Sequence, residues 1–306
     1  MTAFAEAWLL AFLLAATLGA GALAVLAAGI LMRESWVEPL RPVLVPVARM
    51  ARLLPVLALP LVAMAGELYP WGGGKALAVG LAAAAILILW AGIGRVLARP
   101  GASRGAAGLC LMLVLLSATI GLEDWALSRD PGWTGSLLGL ALFAGGAAAS
   151  LSMAVLLRGY PVTDEARTGM ERALLTLAVL MLWLWFVQFL TVWAADLPPE
   201  AAWYLRRQDG AWFWVKVAVA APALLGALAL AIVPQWRPWR MRGVCALLIL
   251  AHGALLIWTV RPDAALAPGA ARGAPEGWVD AIVIASFALL VFVAGRVARH
   301  ARPNPV

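Results

Sequence analysis

Apolar stretches of about 20 residues follow one another along the whole chain, and this recurrence constrains the fold more than any other feature. A run of that length crosses a hydrocarbon core of about 30 Å as a helix. In lipid the backbone polar groups must be satisfied inside the segment, so such runs are helices. Nine spans are expected: Phe4 to Leu31, Ala51 to Tyr69, Lys75 to Leu97, Gly105 to Leu122, Thr134 to Leu157, Arg172 to Ala195, Ala211 to Val233, Met241 to Val260 and Val279 to Val297. No strand-type alternation competes with them. The 306 residues are 64% hydrophobic and 13% charged, against about 45–50% apolar in a soluble domain. No stretch remains for a separate soluble domain, and the expected fold class is an all-α integral membrane protein with about nine transmembrane helices.

The net charge of +7 comes from basic residues in short loops rather than from one patch, which argues against a nucleic-acid partner. One set of alternate loops holds 16 Lys and Arg, among them Arg33, Arg99, Arg158, Arg240 and Arg299, whereas the other set holds 6. By the positive-inside rule the N-terminus lies outside and the C-terminus in the cytoplasm. The first inner loop, Arg33 to Arg52, carries Trp36, Pro39, Pro42 and Pro46, with its basic residues along the lipid headgroups. On the outer side fall a compact loop at Glu123 to Trp133 and two long loops, Asp196 to Gly210 and Arg261 to Trp278. The first run lacks a basic lead and is too long for a signal peptide, so it reads as a retained helix.

Few residues in the spans could carry chemistry. Cys110 and Cys245 sit inside apolar runs, away from any CxxC spacing, and read as small core residues. Of the two histidines, His252 alone lies in a span, so the paired axial ligands of an intramembrane b-haem are missing. His252 is either a proton-relay member or quinone ligand, or a neutral core histidine bonded to a backbone carbonyl. Lys216 either snorkels to the outer interface or is a buried functional charge. Gln188, among Trp183, Trp185, Phe186, Phe189 and Trp193, could donate to a quinone carbonyl or bond between helices. Glu67 reads as a solvated end-cap. Pro55 and Pro60 break the second span, either as ordinary membrane-helix prolines or as the mark of a transport site. The small residues Gly145 to Ala149 indicate close helix packing. No Walker loop, Gly-x-Ser-x-Gly, zinc-ligand cluster or dinucleotide fingerprint occurs.

The segment Asp124-Trp125-Ala126-Leu127-Ser128-Arg129-Asp130-Pro131-Gly132-Trp133, followed by Gly139 to Gly145, resembles the Asp-Trp-x-x-Ser-Leu-x-Pro-x-Trp and Gly-x-Tyr-x-Phe-Ala-Gly signature of the NrfD/PsrC-like membrane subunits. Within them it is most similar to the ActF-type subunit of bacterial alternative complex III, a quinol:electron-acceptor oxidoreductase. Leu68-Tyr69-Pro70-Trp71, Gln188-Phe189 through Trp193 to Glu200, Trp203-Tyr204, Trp212-Phe213, and His252 with Trp258 follow in the family's order. The similarity therefore covers nearly the whole chain.

The resemblance implies two four-helix bundles, residues 1–133 and 134–260, with a peripheral ninth helix and basic tail in 261–306. It implies a multi-pass subunit of the bacterial cytoplasmic membrane, itself non-catalytic, that scaffolds a respiratory quinol-oxidising complex and assists proton movement. Its partners would be a related quinone-binding membrane subunit, iron–sulfur and haem c subunits on the outer face, and the lipid bilayer. No cofactor would be bound directly, quinone being the one candidate ligand. Asp124, Trp125, Asp130 and Trp133 are the expected assembly residues of the outer loop, and His252, Gln188, Lys216, Asp196 and Trp193 the candidate proton-path or quinone contacts. The family usually has ten helices, and the first has no counterpart here. Leu255 replaces an Asp suspected of proton transfer, Asp196 an Asn, Gly132 a His and Phe189 a Tyr, which removes groups that would line a proton path. A small-molecule or ion transporter, motivated by the broken second span and Lys216, and a quinone-binding subunit in its own right, around Gln188, Trp193 and His252, are the two alternatives.

Overall fold

A computed structural model describes residues 2–133, 137–233, 235 and 238–266, together with Ala281 and Ala285. Nearly all of the ninth span, Val279 to Val297, and most of the loop before it lie outside the described residues. Within them the chain is helical, with short 3-10 and π turns and no strand. Eight helices there are long and apolar enough to cross a membrane.

The first span is α1 (Thr2–Met32). The second is assembled from α2 (Val37–Arg49), a 3-10 turn, α3 (Leu54–Ala63) and α4 (Ala65–Leu68). Three single helices follow, α5 (Gly72–Leu97), α6 (Arg104–Leu127) and α7 (Leu138–Arg158), and then the long α8 (Asp164–Ala195). A short α9 (Pro198–Leu205) leads to α10 (Gly210–Trp214), which continues through a π-helix (Val215–Ala220) into α11 (Ala221–Ile232). Last comes α12 (Pro238–Val260), with a 3-10 turn over Arg261–Leu266.

Burial separates the centre from the rim. The most apolar windows of α1, α7 and α12 are 89%, 78% and 61% buried, and those of the other five spans no more than 33%. α7 touches both α1 and α12, so these three form the core and the rest face outward. The α1–α7 seam is close because both helices present small residues. A Cβ on Gly21 would strike the backbone of Gly146, and one on Gly146 the backbone of Thr17. Ser150 Oγ donates to Leu18 O at 2.8 Å across the same seam. Small-residue packing of this kind replaces the hydrophobic drive that helices lose in lipid.

Three expectations are corrected. Residues 37–49 form a helix, not a loop along the headgroups: Val37, Leu40, Val43, Leu44, Val47 and Ala48 are buried at helical spacing, while Pro39, Pro42 and Pro46 share the less buried face. The missing proline N–H groups therefore fall on the outer side, where the ladder is least confined. The loop expected at Glu123 to Trp133 is shorter because α6 runs to Leu127. Trp125 is drawn inward against Phe12 (5.3 Å between ring centres) and Trp90 (5.9 Å), which keeps this last turn helical. The loop Asp196 to Gly210 contains α9, started by Pro198 and Pro199 in its first turn.

Candidate functional site

Several of the motif segments named above, residues 69–71, 125–133, 203–204 and 258, are far apart in sequence yet meet at one end of the bundle. Tyr69 Oη donates to Trp125 O at 2.8 Å, and Trp71 Nε1 lies 3.1 Å from Ser128 Oγ. Trp133 packs on Trp203 at 4.5 Å and near Tyr204 at 6.0 Å, and Trp203 meets Trp258 edge-on at 5.5 Å. These rings form an aromatic layer under the connecting loops.

Buried charges occupy the same layer. Glu6, Asp130 and Asp263 face Arg129, Arg206, Arg207 and Arg261. Arg129 pairs with Glu6, Arg206 with Asp130, and Arg207 with Asp263 at 2.6 Å. Arg207 is wholly buried. It donates to the carbonyls of Trp203 (2.9 Å), Trp258 (3.2 Å) and Thr259 (2.6 Å), and its guanidinium lies 3.4 Å over the Trp203 ring. Arg129 Nη1 reaches Val260 O at 3.1 Å. The last carbonyls of α12, which have no partner within the helix, are thus closed by two cations suited to the negative end of its dipole. Burial pulls the Arg207 guanidinium down to about 10, with the Asp263 carboxylate opposing that shift. Burial likewise raises the phenols of Tyr69 and Tyr204 above their ordinary range.

Directly beneath this layer, between α8, the π-helix with α11, and α12, lies a cleft of about 400 Å³. Trp185, Phe189, Tyr204, Lys216, Leu255 and Trp258 line it. Phe186 and Leu225, each more than half exposed, also line it, so it opens on the lateral surface. Lys216 points its Nζ to within 5.5 Å of the centre of the Trp258 ring. Trp258 Nε1 and Tyr204 Oη are buried without hydrogen-bond partners. Phe189 and Leu255, where the resemblance expects Tyr and Asp, both face this cleft, so its wall is carbon at those positions.

The expected site residues are not gathered in one place. Lys216 lines the cleft. Gln188 lies in the core of α8, where its Oε1 accepts the N–H of Leu137 at 3.0 Å, while Glu123 Oε2 accepts that of Gly139 at 2.6 Å. Together they cap the start of α7. His252 is buried on the α1 side, with Nε2 3.0 Å from Thr17 Oγ1. The Thr17 hydroxyl spends its hydrogen on Leu14 O at 3.0 Å, so it accepts from Nε2–H. Nδ1 then faces Gly145, where a Cβ would meet it. Of the two readings of His252, the hydrogen-bonded core histidine is the one its surroundings match, through a hydroxyl rather than a carbonyl. Trp193 is 70% exposed. Asp196 is exposed and ends α8 in the left-handed region at φ 49°, a conformation Asp and Asn tolerate. It acts as a helix stop there.

Of the expected assembly residues, Trp125, Asp130 and Trp133 are buried within this chain, with at most 8% exposure, and Asp124 is half-buried. Sequence reasoning passed over Glu6, Arg207 and Asp263. Glu6, a lone carboxylate at the third residue of the first apolar run, was the available signal, because such a charge needs a partner in the fold. The sequence matches no protein-family model and no curated protein.

Proposed function

We propose that this chain is an accessory, non-catalytic membrane subunit of a bacterial quinol-oxidising complex of the alternative complex III type. Its N-terminus faces outward, its C-terminus lies in the cytoplasm, and its spans divide into two four-helix bundles. The observation that supports this reading is the convergence of the signature segments. Residues 69–71, 124–133, 203–204 and 258, which carry part of the resemblance, interlock in one aromatic and ionic layer. A layer held by this many buried hydrogen bonds suits a rigid platform. On it, iron–sulfur and haem c subunits would dock at the outer face, beside a related quinone-binding membrane subunit.

In this role the chain scaffolds the complex. With Phe189 and Leu255 in the cleft wall and His252 engaged by Thr17, its own residues present no continuous run of titratable groups there. Mild detergent extraction followed by identification of the copurifying proteins tests the proposal. A multihaem cytochrome or iron–sulfur subunit in stable association is the expected result. A chain that purifies alone and takes up solute in liposomes points to a transporter instead.

A further inference from the structure

The cleft between α8 and the π-helical span holds the ammonium of Lys216 beside walls that are otherwise almost wholly apolar. Lys216 brings a positive charge, and no carboxylate lies within 4.0 Å of its ammonium among the described residues; the contact its Nζ does make is with the Trp258 ring. The rest of the lining is aliphatic or aromatic, including Leu182, Phe186 and Leu224. An unpaired ammonium beside apolar walls is unfavourable until an anion meets it. A neutral head would leave that charge unmet. The π-helix that carries Lys216 adds a second sign, since an extra residue in a turn is a costly feature that recurs at functional sites.

We infer that this cleft binds an amphiphile with an oxyanion head on an acyl chain. The head sits on Lys216 and the chain runs along Leu182, Phe186 and Leu224 toward the lateral opening. Lys216 is the seventh residue of a span that starts at Gly210, about 9 Å along the axis, which sets the head just inside the headgroup boundary with hydrocarbon below it. The volume of about 400 Å³ lies within the ordinary range of ligand sites. Two sources share this chemistry: the carboxylate of a free fatty acid and the phosphate of an anionic phospholipid. The inference does not depend on the assembly role proposed above.

The test uses the full-length chain, delipidated and returned either to detergent with a photoactivatable palmitate or to nanodiscs with a photoactivatable phosphatidylglycerol. Crosslinks on α8 or α11 residues of the cleft are expected, displaced by the unlabelled probe of the same head. Lys216→Met lowers the yield about tenfold or more, the scale of one charge-assisted contact, and Lys216→Arg keeps it. Leu224→Trp fills the cleft while leaving Lys216 in place, and it too lowers the yield. Labelling by palmitate alone assigns a free carboxylate, and labelling by phosphatidylglycerol alone assigns a lipid phosphate. Equal labelling by methyl palmitate or phosphatidylcholine overturns the inference, as does displacement by a neutral quinone as strong as by palmitate. So does a yield unchanged in both Lys216→Met and Leu224→Trp.

Discussion

Arg207 shows what a buried charge needs in this fold. Its donors go to three carbonyls and to Asp263, so removing the acid strands a guanidinium with no exposure. Asp263→Ala should cost about 3–5 kcal/mol, the range for breaking a buried pair, read as a lower unfolding midpoint in detergent. Gln188→Leu leaves the N–H of Leu137 unpaired at the start of α7 and should cost about 1–3 kcal/mol in the same measurement. All three tyrosines, Tyr69, Tyr160 and Tyr204, have phenols raised above the ordinary 10.0, burial being the largest cause in each. The folded chain keeps them neutral while the unfolded chain ionises at the ordinary value. Their contribution to stability is therefore complete below pH 10.0 and is lost as the pH rises past it. Tyrosinate absorbance should appear above that pH together with loss of helix; a reversible titration centred on pH 10.0 with helix retained contradicts this.

At the scale of elements, the α1–α7 seam is the tightest join. Gly146→Leu forces a side chain into the α1 backbone and should destabilise the chain by about 1–3 kcal/mol or more. Gly253→Ala in α12 meets open space and should be neutral or stabilising by up to about 1 kcal/mol. Thermal unfolding of the two variants side by side separates packing from helix propensity. The seam was legible in the run Gly145 to Ala149, as were the apolar cores of the spans, because length and hydropathy alone decide them. The helix at residues 37–49 was not, since prolines at 39, 42 and 46 outweigh a buried face that shows only as a periodicity. The cleft was half legible: Lys216 stood out as a charge in a span, but its neighbours Tyr204, Leu255 and Trp258 come from α9 and α12, and only the fold brings them to it. Asp263 and Arg207 lay in segments that sequence reads as solvated loops, whereas the aromatic layer closes over them.

For the whole molecule, the alternation of charge, read by the positive-inside rule, predicts a direction across the membrane. Cys110 and Cys245 are both buried, so the chain gives little background to a thiol reagent. Gln208→Cys, at the exposed end of the α9 turn, should react with a membrane-impermeant maleimide in intact cells, and Arg99→Cys, exposed at the other end of the bundle, should not. The reverse pattern inverts the orientation. A scaffold differs from a catalyst in what its loss does, because partners that depend on a shared platform fail to accumulate when it is removed. The most direct measurement is quinol oxidation by membranes from cells that lack this chain, compared with cells in which it is restored. The account predicts that activity and the associated iron–sulfur and haem c subunits fall together and return together. Full quinol oxidation by a complex purified without this chain contradicts it.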